Sequence, residues 1–182
     1  MSKPCSGHFK GTNGFNSLRN KTSTNTNEYA TMGLDLRAHP SKYKQFNSKK
    51  RKEYKAKEAS RTLTKEEFKR KEWQRRLNIR RKAGIDSFWD HEKYLIANNL
   101  HTARNWSASQ RLDILNNKRP KYKNVTMQSH HIYSVATYPH LANKGSLIYP
   151  ATHHEHLHRW HGGNYHTSSP GKPINHSIKE DF

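Results

Sequence analysis

Histidine is placed along this chain of 182 residues in a way that few small folds can use. Ten of its 14 histidines lie between residues 130 and 176: His130, His131, His140, His153, His154, His156, His158, His161, His166 and His176. Over residues 121–175 the chain has one carboxylate, Glu155, and no thiol; its one cysteine is Cys5. An internal disulfide and a cysteine-based zinc finger are therefore excluded. Dense imidazole without competing carboxylates suits one divalent metal. It also suits an anionic substrate, which nearby carboxylates would repel.

The cluster falls into two halves. His130 and His131 are adjacent in a segment rich in β-branched and aromatic residues (Val125, Thr126, Ile132, Tyr133, Val135), which predicts a strand. Neighbouring strand residues point to opposite faces, so the two cannot both ligate one metal. A ligand beside a general base is the arrangement this pair permits, and imidazole suits the base role near neutral pH. The second half follows Thr152, which can cap a helix from His153 to about Trp160, ended by Gly162 and Gly163. On a regular helix His154 shares a face with His158, and His158 with His161. His156 and His161, five apart, meet only through a π-bulge or the helix end. Spacing alone does not choose among these pairs.

Charge narrows the partner. Lys and Arg number 34 against 14 Asp and Glu, a formal +20, with a pI near 10.2 and a mean hydropathy of −1.21. Such an excess points to a polyanion, nucleic acid first, an anionic membrane or acidic protein after it. Apolar residues make up 31%, well below the usual ~45–50%, so a compact part and a poorly packed part are expected. No run of about 18 apolar residues predicts a transmembrane helix, and Met1–Cys5 opens no apolar stretch of the kind a classical signal peptide needs.

Residues 1–60 read as a flexible basic arm, with a helical continuation through Tyr54 as the alternative. Residues 1–27 are rich in Ser, Thr, Asn and Gly, and Lys42–Lys57 carries eight basic residues against Glu53 alone. A helix is predicted from the capping box at Thr64–Glu67 to about Ala83, stopping at Gly84. Its apolar residues, Phe68, Trp73, Leu77 and Ile79, form no clean stripe, and its basic ones point to a phosphate-facing helix. A second helix is expected over about 86–98. A third follows the capping box at Ser107–Gln110, with Asn116, Asn117 and Pro120 ending it. Leu147–Tyr149 reads as a second strand, so the C-terminal order is strand, loop, strand, helix.

Several blocks occur in order: Ser129-His130-His131-Ile132-Tyr133-Ser134-Val135, Tyr138-Pro139-His140-Leu141-Ala142-Asn143, Tyr149-Pro150-Ala151-Thr152, Glu155-His156-Leu157 and Trp160-His161-Gly162-Gly163-Asn164. Together they resemble the GHH branch of the HNH/endonuclease VII nucleases, His-Me finger enzymes found as toxin domains of bacterial polymorphic toxins. The resemblance covers roughly residues 125–175. It implies an α+β, mostly helical chain whose C-terminal ββα-metal unit packs with N-terminal helices, preceded by a basic, poorly ordered arm. The domain would span 61–176, with a helical part at 64–117, the ββα core at 125–165, and a tail at 177–182. It further implies His131 as general base and His130, His156 and His161 as ligands of one divalent metal: Mg, Zn, Ni or Mn. Two positions depart from the family pattern. Ser129 stands where Gly is expected, and the Asn before the second strand is replaced, leaving Asn143 or Ser146 to orient the base.

These readings converge on a metal-dependent, sequence-non-specific DNA endonuclease acting as an antibacterial toxin. It would be delivered into target cells to act in their cytoplasm, and would meet an acidic immunity protein there. Arg75, Arg76, Arg80, Arg81 and Arg159 are the candidate phosphate contacts, and no membrane insertion is expected. An RNase of the same fold and a non-catalytic nucleic-acid-binding protein with a structural zinc are the alternatives.

Overall fold

The computed structural model describes residues 31–182. Residues up to 34 belong to one unit and 35–182 to another; in the first, Leu34 N–H donates to the Thr31 carbonyl at 3.0 Å. Cys5 and the tract 1–27 lie outside the described residues. The second unit is α+β: α1 (Ser48–Ala59), α2 (Lys65–Ala97), α3 (Ala108–Leu115), β1 (Lys121–Tyr122), β2 (Val125–Thr126), β3 (Gln128–His131), β4 (Ile148–Ala151) and a π-helix (Glu155–Trp160). Two short 3-10 turns, Pro139–Leu141 and Gly145–Leu147, shape the loop between β3 and β4. No helix among the described residues is long and apolar enough to cross a membrane.

The sequence predicts a poorly ordered arm up to residue 60, but α1 is a helix capped by Asn47, whose side chain accepts from Lys50 N–H. Two aromatics explain its docking. Tyr54 and Phe46 are buried, with their rings 4.5 Å apart, and the Phe46 N–H donates to Gln74 Oε1 of α2 at 2.8 Å. Ion pairs Lys57–Glu67 and Lys71–Glu58 tie the two helices across their basic surfaces.

The two helices expected on either side of Gly84 are one. α2 begins at the predicted capping box on Thr64 and Glu67 and runs unbroken for 33 residues. Its inward stripe is Gln74, Leu77, Gly84, Phe88, Glu92 and Leu95, all buried, at the three- and four-residue spacing of a helix face. Half of that stripe is not apolar, which hides it from a hydrophobic reading of the sequence. Glu92 is held by the Trp106 Nε1–H at 2.7 Å and the Ala103 N–H at 3.0 Å. Gly84 serves as a contact and not as a stop. A Cβ there would stand 2.5 Å from the Ala142 carbonyl oxygen, and one on Gly145 2.8 Å from Ser87 Oγ. The loop after β3 thus lies flush against α2.

α3 keeps its predicted capping box, Ser107 with Gln110. After it, Lys123 and Asn124, with φ of 46° and 63°, turn β1 back onto β2 in the manner of a type I′ hairpin. This hairpin is a separate element: the strand expected over Val125–Val135 divides at Met127. β3 pairs antiparallel with β4, Ser129 opposite Pro150, His130 opposite Tyr149 and His131 opposite Ile148. Ile96, Trp106, Ile114 and Met127 form one core cluster, with Trp89, Tyr122 and Phe182 against it. Leu77, Val135 and Ala142 form another.

The end of the chain is also packed, where the sequence reading had a tail. Phe182 stacks on Tyr122 at 5.1 Å, and Asp181 N–H donates to Glu155 Oε1 at 2.7 Å.

Candidate active site

Alternation along β3 sorts its side chains onto two faces. Gln128 and His130 look toward the π-helix; Ser129 and His131 look toward α2 and the loop that lies on it.

On the first face three imidazoles converge. The ring centroids of His130, His156 and His161 stand 4.8, 5.0 and 4.9 Å apart in pairs, and one nitrogen from each lies within 4.8 Å of the others. The segment after β4 makes this possible. Thr152 and Glu155 form a reciprocal cap, Glu155 N–H to Thr152 Oγ1 at 3.1 Å and Thr152 N–H to Glu155 Oε2 at 3.0 Å. The following turns are π-helical, so residues five apart become neighbours. Gly162 and Gly163, at φ of 59° and 89°, end the helix, and Gly163 N–H reaches back to the Leu157 carbonyl at 2.8 Å. His154 and His158 form a separate pair, their rings 5.2 Å apart, outside the group of three.

The hydrogen bonds fix which nitrogens are free. His156 Nδ1–H donates to Gln128 Oε1, and His161 Nδ1–H donates to the Thr167 carbonyl. Each ring therefore presents an Nε2 lone pair, and the two Nε2 atoms face each other at 3.3 Å. Two acceptors at that distance repel unless a cation lies between them. Ligands at ~2.0–2.1 Å on a tetrahedral ion stand about 3.3 Å apart, so the donor set fits a divalent metal. Burial, reinforced by the neighbouring histidines, pushes His130 down to about 2. Burial followed by the charges of His161 and His153 pushes His156 down to about 4. Both are neutral at pH 7, as ligands must be.

A buried ion pair supports the π-helix from beneath. Arg104 grips Glu155 through two bonds of 2.6 and 2.8 Å, with both side chains sealed from solvent. Arg104 also donates to the Pro150 carbonyl at 3.0 Å and to Tyr149 Oη at 3.1 Å. Burial raises the Glu155 carboxyl, but Arg104 and the N–H groups of Asp181 and Thr152 outweigh it, and the carboxyl sits below its usual range. In the sequence Glu155 stands out only as a lone carboxylate. The Thr-x-x-Glu spacing was the available sign of its capping role, whereas its pairing with Arg104, 51 positions away, left no local trace.

On the second face His131 Nε2–H donates to the Ala142 carbonyl at 3.1 Å, leaving Nδ1 with its lone pair. The acceptor is main chain, where the sequence reading looked to the side chain of Asn143 or Ser146. Asn143 instead accepts from Arg80 through its Oδ1 at 3.1 Å, and Arg80 also donates to the His140 carbonyl at 2.6 Å. Burial pushes His131 down to about 4; the Ala142 bond opposes the shift and the Arg81 charge adds to it. The imidazole is neutral and fixed in one tautomer, the state a general base requires.

The five candidate phosphate arginines have different surroundings. Arg75 pairs with Glu72 at 2.9 Å, and Arg76 is exposed. Arg80 braces the loop under His131, Arg81 donates to Gln45 Oε1 at 3.2 Å, and Arg159 faces Glu180 at 3.1 Å.

An α+β chain with small two-stranded sheets, a strand pair carrying adjacent histidines and three histidines able to hold a metal is consistent with an HNH-like fold. Residues 71–152 match the model of the Tox-GHH family, described as a GHH signature containing HNH/Endo VII superfamily nuclease toxin. This is the family that the sequence blocks resemble. The match runs from within α2 through β4 and includes His130 and His131; His156 and His161 lie just beyond it. No curated protein and no solved structure matches the chain.

Proposed function

We propose that this chain is a metal-dependent endonuclease that hydrolyses DNA phosphodiester bonds without sequence specificity and acts as an antibacterial toxin. The observation that carries the metal reading is the pair of Nε2 lone pairs converging at 3.3 Å, each ring fixed by a protein acceptor at its Nδ1. His130, His156 and His161 would hold the ion, which when bound would supply positive charge against a phosphate oxygen and the leaving 3′ oxygen. His131 takes a proton from water on Nδ1 while Nε2–H stays bonded to Ala142. The water oxygen forms its bond to phosphorus as the P–O3′ bond breaks, and the departing oxygen takes its proton from solvent. The Ala142 carbonyl stabilises the imidazolium that forms. No 2′-hydroxyl takes part, so DNA is a competent substrate.

The basic helices would hold the phosphate backbone without reading bases. The same charge makes an acidic immunity protein the natural inhibitor, and delivery into a target cell would place the enzyme beside its DNA. The test is plasmid cleavage by the full chain with a metal series and with chelator, using His131→Ala as control. Cleavage should require metal and fall at least 100-fold in His131→Ala, with metal affinity retained by calorimetry. Cleavage restricted to substrates with a 2′-hydroxyl would make the enzyme an RNase, and binding without cleavage would make the centre structural.

A further inference from the structure

Position 129, where the GHH signature has glycine, carries a serine whose hydroxyl is occupied twice. Trp89 Nε1–H donates to Ser129 Oγ at 2.9 Å and Arg119 NH1 at 2.7 Å. The Arg119 guanidinium also lies over the Trp89 ring, 5.3 Å from its centroid. Its backbone is equally constrained. It follows Asn117 in the left-handed region, φ 58°, and precedes the fully buried Pro120, whose carbonyl accepts from Met127 N–H at 2.9 Å. A side chain pinned by a hydroxyl and an aromatic face, on a pinned backbone, is an arginine held in one place.

Nothing internal accounts for its charge. Arg119 meets no carboxylate at ion-pair distance among the described residues. Asp86, whose charge it feels, pairs with Lys82. Apart from the bond to Ser129, its N–H groups find no protein acceptor there, and the residue is exposed. Ser129 and His131 lie two apart on β3, about 6.6 Å along the strand and on the same face. Arg81 of α2 bears on His131 electrostatically. The face that carries the base is thus bordered by two guanidinium groups.

We propose that Arg119 binds a backbone phosphate of the DNA substrate beside the one addressed by His131, and that Ser129 and Trp89 position it. This rests on the nuclease reading above. A cavity of about 360 Å³ opens next to the guanidinium, with Trp89, Asn117 and Lys118 on its wall. Asp86 and Asp90 also line it, so the phosphate sits at the outer edge of the arginine fork and not in the cavity. Planar guanidinium matches phosphate by paired N–H bonds, which lysine cannot reproduce.

The test uses the full chain carrying His131→Ala, so that substrate survives, and measures its affinity for a short DNA duplex across a salt series. Arg119→Gln should weaken binding about tenfold and lower the log K against log salt slope by about one. Arg119→Lys should restore the slope but not the affinity, and Ser129→Gly should weaken binding several-fold with the charge intact. Melting temperatures should stay within about 2 °C, since Arg119 is at the surface. Arg119→Gln with unchanged affinity and slope would overturn the proposal while leaving the nuclease reading standing. Lost affinity in Arg119→Gln beside a parent chain that never cleaves DNA would support the phosphate contact and remove the nuclease. An equal loss in Arg119→Gln and Arg119→Lys with a lowered melting temperature in both would also overturn it, as a packing effect.

Discussion

At the scale of single residues, the centre is decided by where protons sit. Gln128 and Thr167 take the Nδ1 protons of His156 and His161, and this commits both Nε2 atoms to one point in space. His161→Ala and His156→Ala should therefore each lower metal affinity by at least an order of magnitude in calorimetry, because the remaining ligands lose their chelate partner. His154→Ala and His158→Ala should change it little; strong loss at His158 with His161→Ala unaffected would move the centre to the exposed pair. Glu155 carries a different kind of weight. Glu155→Gln leaves the Arg104 guanidinium buried without its counter-charge, at a cost of roughly 3–5 kcal/mol, which a denaturant titration would register. The grouping of His130, His156 and His161 could be read from motif blocks because side chains mark them. The acceptor that orients His131 could not, because it is a main-chain carbonyl and any residue at position 142 would supply one.

At the scale of elements, the long helix and the loop after β3 act as one piece. Gly84 read from sequence as a helix end, since glycine there and a break in apolar pattern both suggest a stop. It is instead the place where α2 lets a carbonyl approach within what would be 2.5 Å of a Cβ. That carbonyl is the one on Ala142 that accepts from His131. Gly84→Ala should thus displace His131, the proposed base, as well as crowd the contact. We expect a loss of about 1–3 kcal/mol in stability and a larger proportional loss in cleavage rate than in substrate affinity, measured as kcat against KM. A variant with lowered stability and an unchanged rate would separate the helix contact from the base. Capping boxes at Thr64 and Ser107 were legible because they are local. The π-helix was legible only as a condition on the His156–His161 pair, since residue spacing does not specify it.

At the scale of the molecule, residues 42–82 hold 18 Lys and Arg against 5 Glu, and the structure draws all five of those glutamates into pairs with nearby Lys or Arg. Most of the remaining positive charge is exposed. DNA affinity should fall steeply with salt, by about 10³–10⁵ between 50 and 200 mM if six to ten phosphates are engaged. Replacing Arg75 and Arg76 by Gln should weaken binding evenly across sequences and flatten the slope. Arg80 is unsuited to that test because it braces the loop under His131. An unchanged slope would assign this surface to a protein partner. The charge along α2 also sets a length scale for the ligand. Its basic part, residues 65–82, is about 27 Å of continuous helix at ~1.5 Å per residue, which corresponds to about eight base pairs of duplex at ~3.4 Å each. Because α2 continues unbroken through Gly84, that stretch is in line with the part of the helix on which the Ala142 loop rests. Affinity measured over duplexes of increasing length should therefore climb until about eight base pairs lie along the helix, with more needed to reach the histidine centre, and then level off.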